Sequence, residues 1–160
     1  MSEYPQEIIK LFAGQSPDGQ KVMESVPAEN MGEGRYRLLQ SPAFARDLAR
    51  GDKIVLAADG SPELEKRSGN LCIRVISREG LDNLEQQLTS KLEKLGGALD
   101  INTPRILVYS IHVSCGFDEI EKTLREAISG NDATWLYGNV YDPTDGETPL
   151  NWWQEFLKPE

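Results

Sequence analysis

The stretch "RILVYSIHVSCGFDEI", from Arg105 to Ile120, decides the fold of this chain. Its first part, "RILVYSIHV", is rich in β-branched and aromatic residues and is the strongest strand signal in the sequence. An amphipathic helix pattern follows at once, with apolar residues at steps of three and four: Phe117, Ile120, Leu124 and Ile128. A strand that passes directly into such a helix indicates a mixed α and β fold.

The alternation of strand and helix extends in both directions from this stretch. A strand at Leu71–Ser77 and a leucine-striped helix at Leu81–Leu95 precede it, and a strand at Thr134–Tyr141 follows. With "ALDI" (Ala98–Ile101) as a further strand, the order is β-α-β-β-α-β, the ferredoxin-like order of an antiparallel sheet. Without it, the order becomes β-α-β-α-β, with parallel pairs.

The first 70 residues predict a β-rich portion with Gly/Pro turns, which favours a small barrel-like or sandwich-like sheet. The expected segments are strands at Glu7–Gly14, Lys21–Val26, Gly34–Pro42 and Lys53–Gly60, helical turns at Ala43–Asp52, and a short strand or turn at Pro62–Asn70. We therefore predict an α+β protein with a barrel-like portion over 1–70 and a ferredoxin-like portion over 71–160, which could form one compact unit. A short final helix is expected at Leu150–Leu157, with Asn151 as its N-cap.

The chain has 160 residues, 39% of them apolar, and a net charge of −9. From Gly116 to Glu160 there are ten acidic and three basic side chains, so this segment carries −7 of that charge. Such a surface repels phosphate backbones and attracts a basic partner, although acidity also serves solubility alone. There is no apolar run of about 20 residues and no secretory signal, so we expect a cytoplasmic protein without membrane or nucleic-acid contact.

Candidates for catalysis are weak. Cys72 and Cys115 match no zinc spacing, and with a single histidine we expect no metal and no cofactor. Cys115 precedes a predicted helix, whose N-terminus would lower the thiol pKa, and His112 lies three residues upstream. On an extended strand the two side chains point to opposite faces. The alternative function that they suggest is a small-molecule-binding protein or small thiol-dependent enzyme, with a pocket lined by Tyr109, His112, Cys115 and Tyr137.

The strongest binding signal is "WLYGNVYDPTDGETPLNWW" (Trp135–Trp153), which contains all three tryptophans. Tryptophan and tyrosine are enriched in binding hot spots. The predicted binding residues are Trp135, Tyr137, Tyr141, Asp142, Asp145, Glu147, Trp152 and Trp153. Continued strand alternation would place Asn139 and Tyr141 on the face of the aromatics, and Leu136 and Val140 on the other. The tryptophans could equally anchor the C-terminal arm to the sheet, and "DPTDGE" is an ordinary turn rather than a calcium loop.

Four stretches carry a resemblance to a known family: "YRLLQSPAFARDLARGDKI", "RSGNLCIRVI", "PRILVYSIHVSCGFDEIE" and "YGNVYDPTDGETPLNWW". The chain resembles an uncharacterised bacterial family of unknown function that is common in pseudomonads. The resemblance implies a small cytosolic bacterial protein and transfers no activity.

The leading hypothesis is a non-catalytic acidic protein-binding module, such as an inhibitor, immunity-type or regulatory protein, acting on a basic partner. The pocket near His112 and Cys115 is its rival, and a homodimer formed through the open face of the C-terminal sheet is a third possibility.

Overall fold

A computed structural model describes residues 4–157 of the chain. It has two antiparallel sheets and two α-helices, which confirms the α+β class. Met1 to Glu3 and the final three residues lie outside the described part, and with them Lys158 and Glu160 of the C-terminal charge count. None of the helices in the described part is long and apolar enough to span a membrane.

The first sheet is a five-stranded meander in chain order. Its strands are β1 (Gln6–Gln15), β2 (Lys21–Gly32), β3 (Arg35–Leu38), β4 (Lys53–Leu56) and β5 (Pro62–Lys66). One face buries a cluster that includes Leu11, Val26, Leu38 and Ile54. The N–H of Phe12 donates to the carbonyl of Gly60 at 2.9 Å, which brings the turn after β4 against β1.

The second sheet confirms the β-α-β-β-α-β element order. Its elements are β6 (Asn70–Ile76), α1 (Asp82–Lys94), β7 (Ala98–Asn102), β8 (Ile106–His112), α2 (Phe117–Ile128) and β9 (Thr134–Tyr137). The strand order is β7-β8-β6-β9, and every pairing is antiparallel. The "ALDI" segment is therefore a strand, and the alternative with parallel pairs is wrong.

Both helices pack on one face of this sheet. The predicted apolar stripes supply the core, through Leu84, Leu88 and Leu92 of α1 and Ile120 and Leu124 of α2. Because side chains alternate along β6, Leu71, Ile73 and Val75 enter this core, whereas Cys72, Arg74 and Ile76 stand on the opposite face. We call that opposite side the open face.

The helical turns predicted at Ala43–Asp52 are wrong. Residues 39–52 form an irregular connection between β3 and β4, which we call the bridging loop. The Glu24 carboxylate accepts three successive backbone N–H groups at 2.6–2.9 Å, those of Ala43, Phe44 and Ala45. These bonds replace the carbonyl partners of a helix, and Asp47 turns the chain at a φ of 65°.

The bridging loop joins the two sheets. Its Ser41 hydroxyl lies 2.6 Å from that of Ser110, and the buried Asp100 accepts the Ser41 N–H at 2.7 Å. Ala49 packs with Cys72 and Val108 on the open face of the second sheet. The loop therefore covers part of this face and leaves the remainder beside β9 uncovered.

The C-terminal predictions need two corrections. β9 ends at Tyr137 rather than Tyr141, because the Asn139 side chain accepts the N–H of Cys72 and takes the place of a strand backbone. Val140 consequently enters the helix-side core, so the expected alternation through Tyr141 is wrong. The final helix is only a 3-10 turn at Trp152–Glu155, and Asn151, with φ 61°, makes no side-chain capping bond.

Candidate binding cleft

A cleft of about 880 Å³ lies between the bridging loop, the open face near β9 and the turn that follows Tyr141. Five of the predicted binding residues line it: Trp135, Tyr137, Tyr141, Asp142 and Asp145. Glu147, Trp152 and Trp153 do not. The sequence therefore located most of one wall of the cleft.

Part of the cleft lining is apolar and exposed. Four of its lining residues are large and exposed: Phe44 (53%), Ile76 (39%), Leu136 (40%) and Tyr141 (43%). Sequence reasoning did not single out the first three. Alternation placed Leu136 opposite the aromatics, but only the tertiary fold brings it beside Ile76 and Phe44.

The outer edge of β9 forms part of the cleft. Arg74 of β6 lies opposite Leu136, and the N–H of Gly138 donates to the carbonyl of Cys72 at 2.8 Å. Bonded and non-bonded pairs alternate along an antiparallel ladder, so the backbone groups of Leu136 face β6. Those of Trp135 and Tyr137 face outward, and no strand among residues 4–157 pairs with this edge.

The cleft closes at Gly138. There the carbonyl of Gly138 accepts the N–H of Asp47 from the bridging loop at 2.9 Å. A Cβ on Gly138 would lie 3.1 Å from Cζ of Arg74 and 2.7 Å from Sγ of Cys72. Only glycine therefore allows the guanidinium of Arg74 to lie so close to the end of the edge.

Tyr137 is held from the helix side. Its hydroxyl donates to Oε2 of Glu121 at 2.9 Å, and its ring meets Phe117 edge-on at 5.8 Å. Burial, together with the neighbouring Glu121 carboxylate, raises the pKa of Tyr137. The phenol stays protonated and fixes the end of β9 against α2.

The acidic turn (residues 142–147) is organised by its own hydrogen bonds. Asp142 accepts the N–H of Thr144 at 2.9 Å, and Asp145 accepts the N–H of Thr148 at 3.0 Å. Hydrogen bonds from Thr148 and Glu147 lower the pKa of Asp145 to about 2. This side chain is therefore ionised at neutral pH and gives the cleft rim a permanent negative charge.

The two adjacent tryptophans act as anchors of the C-terminal arm. Trp152 donates from Nε1 to the carbonyl of Asn139 at 2.8 Å, and Arg67 lies 5.2 Å from its ring centroid. Trp153 meets Phe117 edge-on at 5.1 Å. Both side chains are half-buried against the helix-side core. A binding role for their exposed surface stays a prediction.

His112 and Cys115 lie at the two ends of the short turn between β8 and α2. The chain turns through a 3-10 segment at Val113–Cys115, and Nδ1 of His112 accepts the N–H of Ser114 at 3.1 Å. No hydrogen bond joins His112 to Cys115 within residues 4–157. Burial raises the pKa of the Cys115 thiol, with Glu119 adding to the effect, so the predicted lowering is wrong.

The predicted pocket around these residues is not assembled. Of its four expected lining residues, only Tyr137 lines the cleft. Tyr109 is fully buried among the helices, with its hydroxyl 2.6 Å from that of Thr89. Within the described part of the chain, no three His, Cys, Asp or Glu side chains come together as a group that could hold a metal ion.

Comparison with known proteins places the chain in a family. Residues 24–136 match the model of the domain of unknown function DUF4265. The chain belongs to this family. The DUF4265 match crosses from the first sheet into the second and ends within β9, so the acidic turn and the tryptophan arm lie beyond the matched residues.

The fold has a counterpart among solved structures. A crystal structure of a hypothetical protein from Neisseria gonorrhoeae matches with a TM-score of 0.63 and 16% identity, over 86% of this chain and 96% of that chain. At that identity the likeness shows the fold alone. A comparison with curated proteins gave no match.

Proposed function

We propose that this protein is a non-catalytic binding module whose cleft receives an extended segment of a basic partner protein. The observation that carries the proposal is the outer edge of β9, which lies in an 880 Å³ cleft beside exposed apolar side chains. An inhibitor, immunity-type or regulatory protein would act in this way. The proposal rests on a surface built for contact and names no reacting group.

The edge of β9 supports recognition by strand addition. The outward N–H and C=O groups of Trp135 and Tyr137 offer main-chain hydrogen bonds to an extended segment. Leu136 and Ile76 stand beside that edge and offer apolar contacts to alternate side chains of the segment. Main-chain bonds would supply affinity, and these apolar contacts would supply selectivity.

Charge supports a basic partner. Three acidic side chains line the cleft: Glu121, Asp142 and Asp145. They lie in the segment that carries most of the net charge of −9. Of the two arginines that line the cleft, Arg74 is buried and Arg46 donates to the carbonyl of Pro143 at 3.1 Å. The rim is thus predominantly negative and would speed encounter with a basic protein.

The test uses a library of short random peptides, presented both with free C-termini and as internal segments. Affinities of selected peptides are then compared among wild type, Leu136→Glu and Leu157→Glu. Leu157 is the matched control for Leu136. The two side chains are 42% and 40% exposed, respectively, and of the two only Leu136 lines the cleft. We expect Leu136→Glu to weaken binding at least about 10-fold and Leu157→Glu to leave it unchanged. Equal binding by all three proteins, or no bound peptide, would overturn the proposal.

A small molecule in the same cleft is the second candidate. The volume of about 880 Å³ falls within the roughly 300–1,000 Å³ range of small-molecule sites. A thermal-shift screen that finds a small ligand, with an effect lost in Leu136→Glu, would favour this reading. Pairing of two copies through the β9 edge would instead give a homodimer, which light scattering detects.

The detailed arrangement of each sheet and the cellular location of the protein are also proposals. The strand order β7-β8-β6-β9, with both helices on one face, supports a ferredoxin-like unit for residues 71–160. The contact between Phe12 and Gly60 supports a barrel-like curl for residues 1–70. We infer a cytoplasmic bacterial protein from the family resemblance, and fractionation of the source cells tests that location.

A further inference from the structure

The most buried charged side chain of the cleft is an arginine that forms no ion pair with another residue in 4–157. Arg74 is 7% exposed and lines the cleft. Ion pairs within residues 4–157 join other partners: Arg35–Glu65, Arg37–Glu29, Arg50–Asp100 and Arg67–Asp47. An uncompensated guanidinium at this depth is costly, since buried charges are ordinarily paired.

Known contacts of Arg74 leave part of the group uncommitted. Nε and Nη2 donate to the carbonyl of Pro42 at 3.3 and 3.1 Å, and Nη2 donates to Ala45 at 2.6 Å. These bonds tie the bridging loop to β6. The guanidinium also lies beside the thiol of Cys72. Neutral carbonyls and a protonated thiol cannot cancel a full charge, and Nη1 donates to no oxygen in the described part of the chain. A guanidinium in this state suits a carboxylate, which can accept a charge-assisted hydrogen bond from it.

The position of Arg74 identifies which carboxylate. The free edge runs along Trp135 to Tyr137, where β9 ends, and the carbonyl of the next residue, Gly138, accepts the Asp47 N–H. The guanidinium lies against that same glycine. A strand that pairs with this short edge therefore has one of its ends near Arg74. An ammonium end would be repelled there, whereas a carboxylate end would be attracted.

We propose that Arg74 receives the C-terminal α-carboxylate of the partner segment, so that the cleft recognises a free protein C-terminus that runs parallel to β9. The inference rests on the proposed function. It deepens that function by naming the part of the partner that binds. The acidic rim would favour basic residues that precede the C-terminus of the partner, and Arg74 would bind the terminal carboxylate.

The experiment compares one selected free-ended peptide with its C-terminal amide, which differs only in the terminal charge. Both are titrated against wild type, Arg74→Gln and Arg46→Gln by fluorescence anisotropy. Arg46 is a matched control, because it lines the same cleft but is exposed. We expect the amide to bind wild type about 10- to 100-fold more weakly, the range for a hydrogen bond to a charged group. In Arg74→Gln the acid and the amide should bind with about equal affinity, whereas in Arg46→Gln the difference between them should be the same as in wild type.

The outcomes distinguish failure of this inference from failure of the proposed binding function. If acid and amide bind wild type equally, or internal segments bind as well as free ends, the inference is overturned while the binding module stands. If no peptide binds the folded protein, both fail. If an N-acetylated amino acid binds as tightly as the peptide, the ligand is a small carboxylate and the docked terminus is overturned. Should Arg74→Gln fail to fold, the acid-to-amide ratio on wild type still decides.

Discussion

Arg74 and Ala45 are joined by a hydrogen bond of 2.6 Å, from Nη2 of the arginine to the backbone carbonyl of Ala45. The N–H of the same alanine donates to the Glu24 carboxylate at 2.8 Å. One residue of the bridging loop is thus held by β6 of the second sheet and by β2 of the first. Phe44, the adjacent residue, is positioned by this double attachment as a wall of the cleft.

Glu24→Ala should destabilise the protein by removing the acceptor of three loop N–H groups. We expect a loss of about 2 kcal/mol in the free energy of unfolding, measured by urea denaturation. Glu63→Ala, at an exposed position on β5, should change it by less than about 0.5 kcal/mol. Equal losses in the two variants would show that the carboxylate does not hold the loop.

Asp52 should make stability depend on pH. Burial raises its pKa from 3.8 to about 6, despite hydrogen bonds from Ser68 and Ala49 that oppose the shift. The folded state therefore binds this proton more tightly than the unfolded state. The stabilising contribution is complete below about pH 4 and is lost as pH rises through about 6, a change of about 3 kcal/mol.

The check compares unfolding free energies of wild type and Asp52→Asn from pH 4 to 7. The unfolding free energy of wild type minus that of Asp52→Asn should fall as pH rises and then level off. Asp118→Asn, at an exposed position in the first turn of α2, supplies the baseline. A difference that rises with pH would mean that Asp52 is stabilised as the carboxylate.

Gly138→Ala should destabilise the closed end of the cleft, because the new methyl group would lie 2.7 Å from Sγ of Cys72. We expect a loss of about 1–3 kcal/mol from overpacking. Cys72→Ala should relieve part of the clash, so the double variant should be more stable than the sum of single losses predicts. Strict additivity in thermal or urea unfolding would argue against this contact.

Trp152→Ala should destabilise the protein by about 3 kcal/mol, because the side chain anchors the C-terminal arm. Its Nε1 bond to Asn139 and its contact with Arg67 are both lost. Leu157→Ala, at an exposed position of the same arm, should cost less than about 1 kcal/mol. Unchanged stability of Trp152→Ala, together with loss of peptide binding, would identify this tryptophan as a binding residue instead.

The sequence was most informative where local pattern and tertiary environment agree. The strand at Ile106–His112 and the helices at Asp82–Lys94 and Phe117–Ile128 follow from their periodicities, because each buries one face in a single core. The bridging loop was missed for the opposite reason. Its conformation is set by Glu24, a distant residue whose carboxylate replaces the bonds of a helix.

The candidate site was predictable only in part. Composition identified Trp135, Tyr137 and the acidic turn, since aromatic and charged residues stand out in a short segment. Nothing in the pattern around Arg74 or Phe44 indicated that both line one cleft, because one lies on β6 and the other on the bridging loop. The role of Asn139, a polar side chain that ends a strand, likewise depends on the distant Cys72 and Asn70.

The most direct test of the binding account is amide hydrogen exchange at β9, with and without the selected peptide. In the free protein, Trp135 and Tyr137 have outward N–H groups, whereas the N–H of Leu136 faces β6. We predict that the peptide slows exchange strongly at Trp135 and Tyr137 and changes Leu136 far less. If the peptide binds and leaves exchange at Trp135 and Tyr137 unchanged, strand addition to this edge is contradicted.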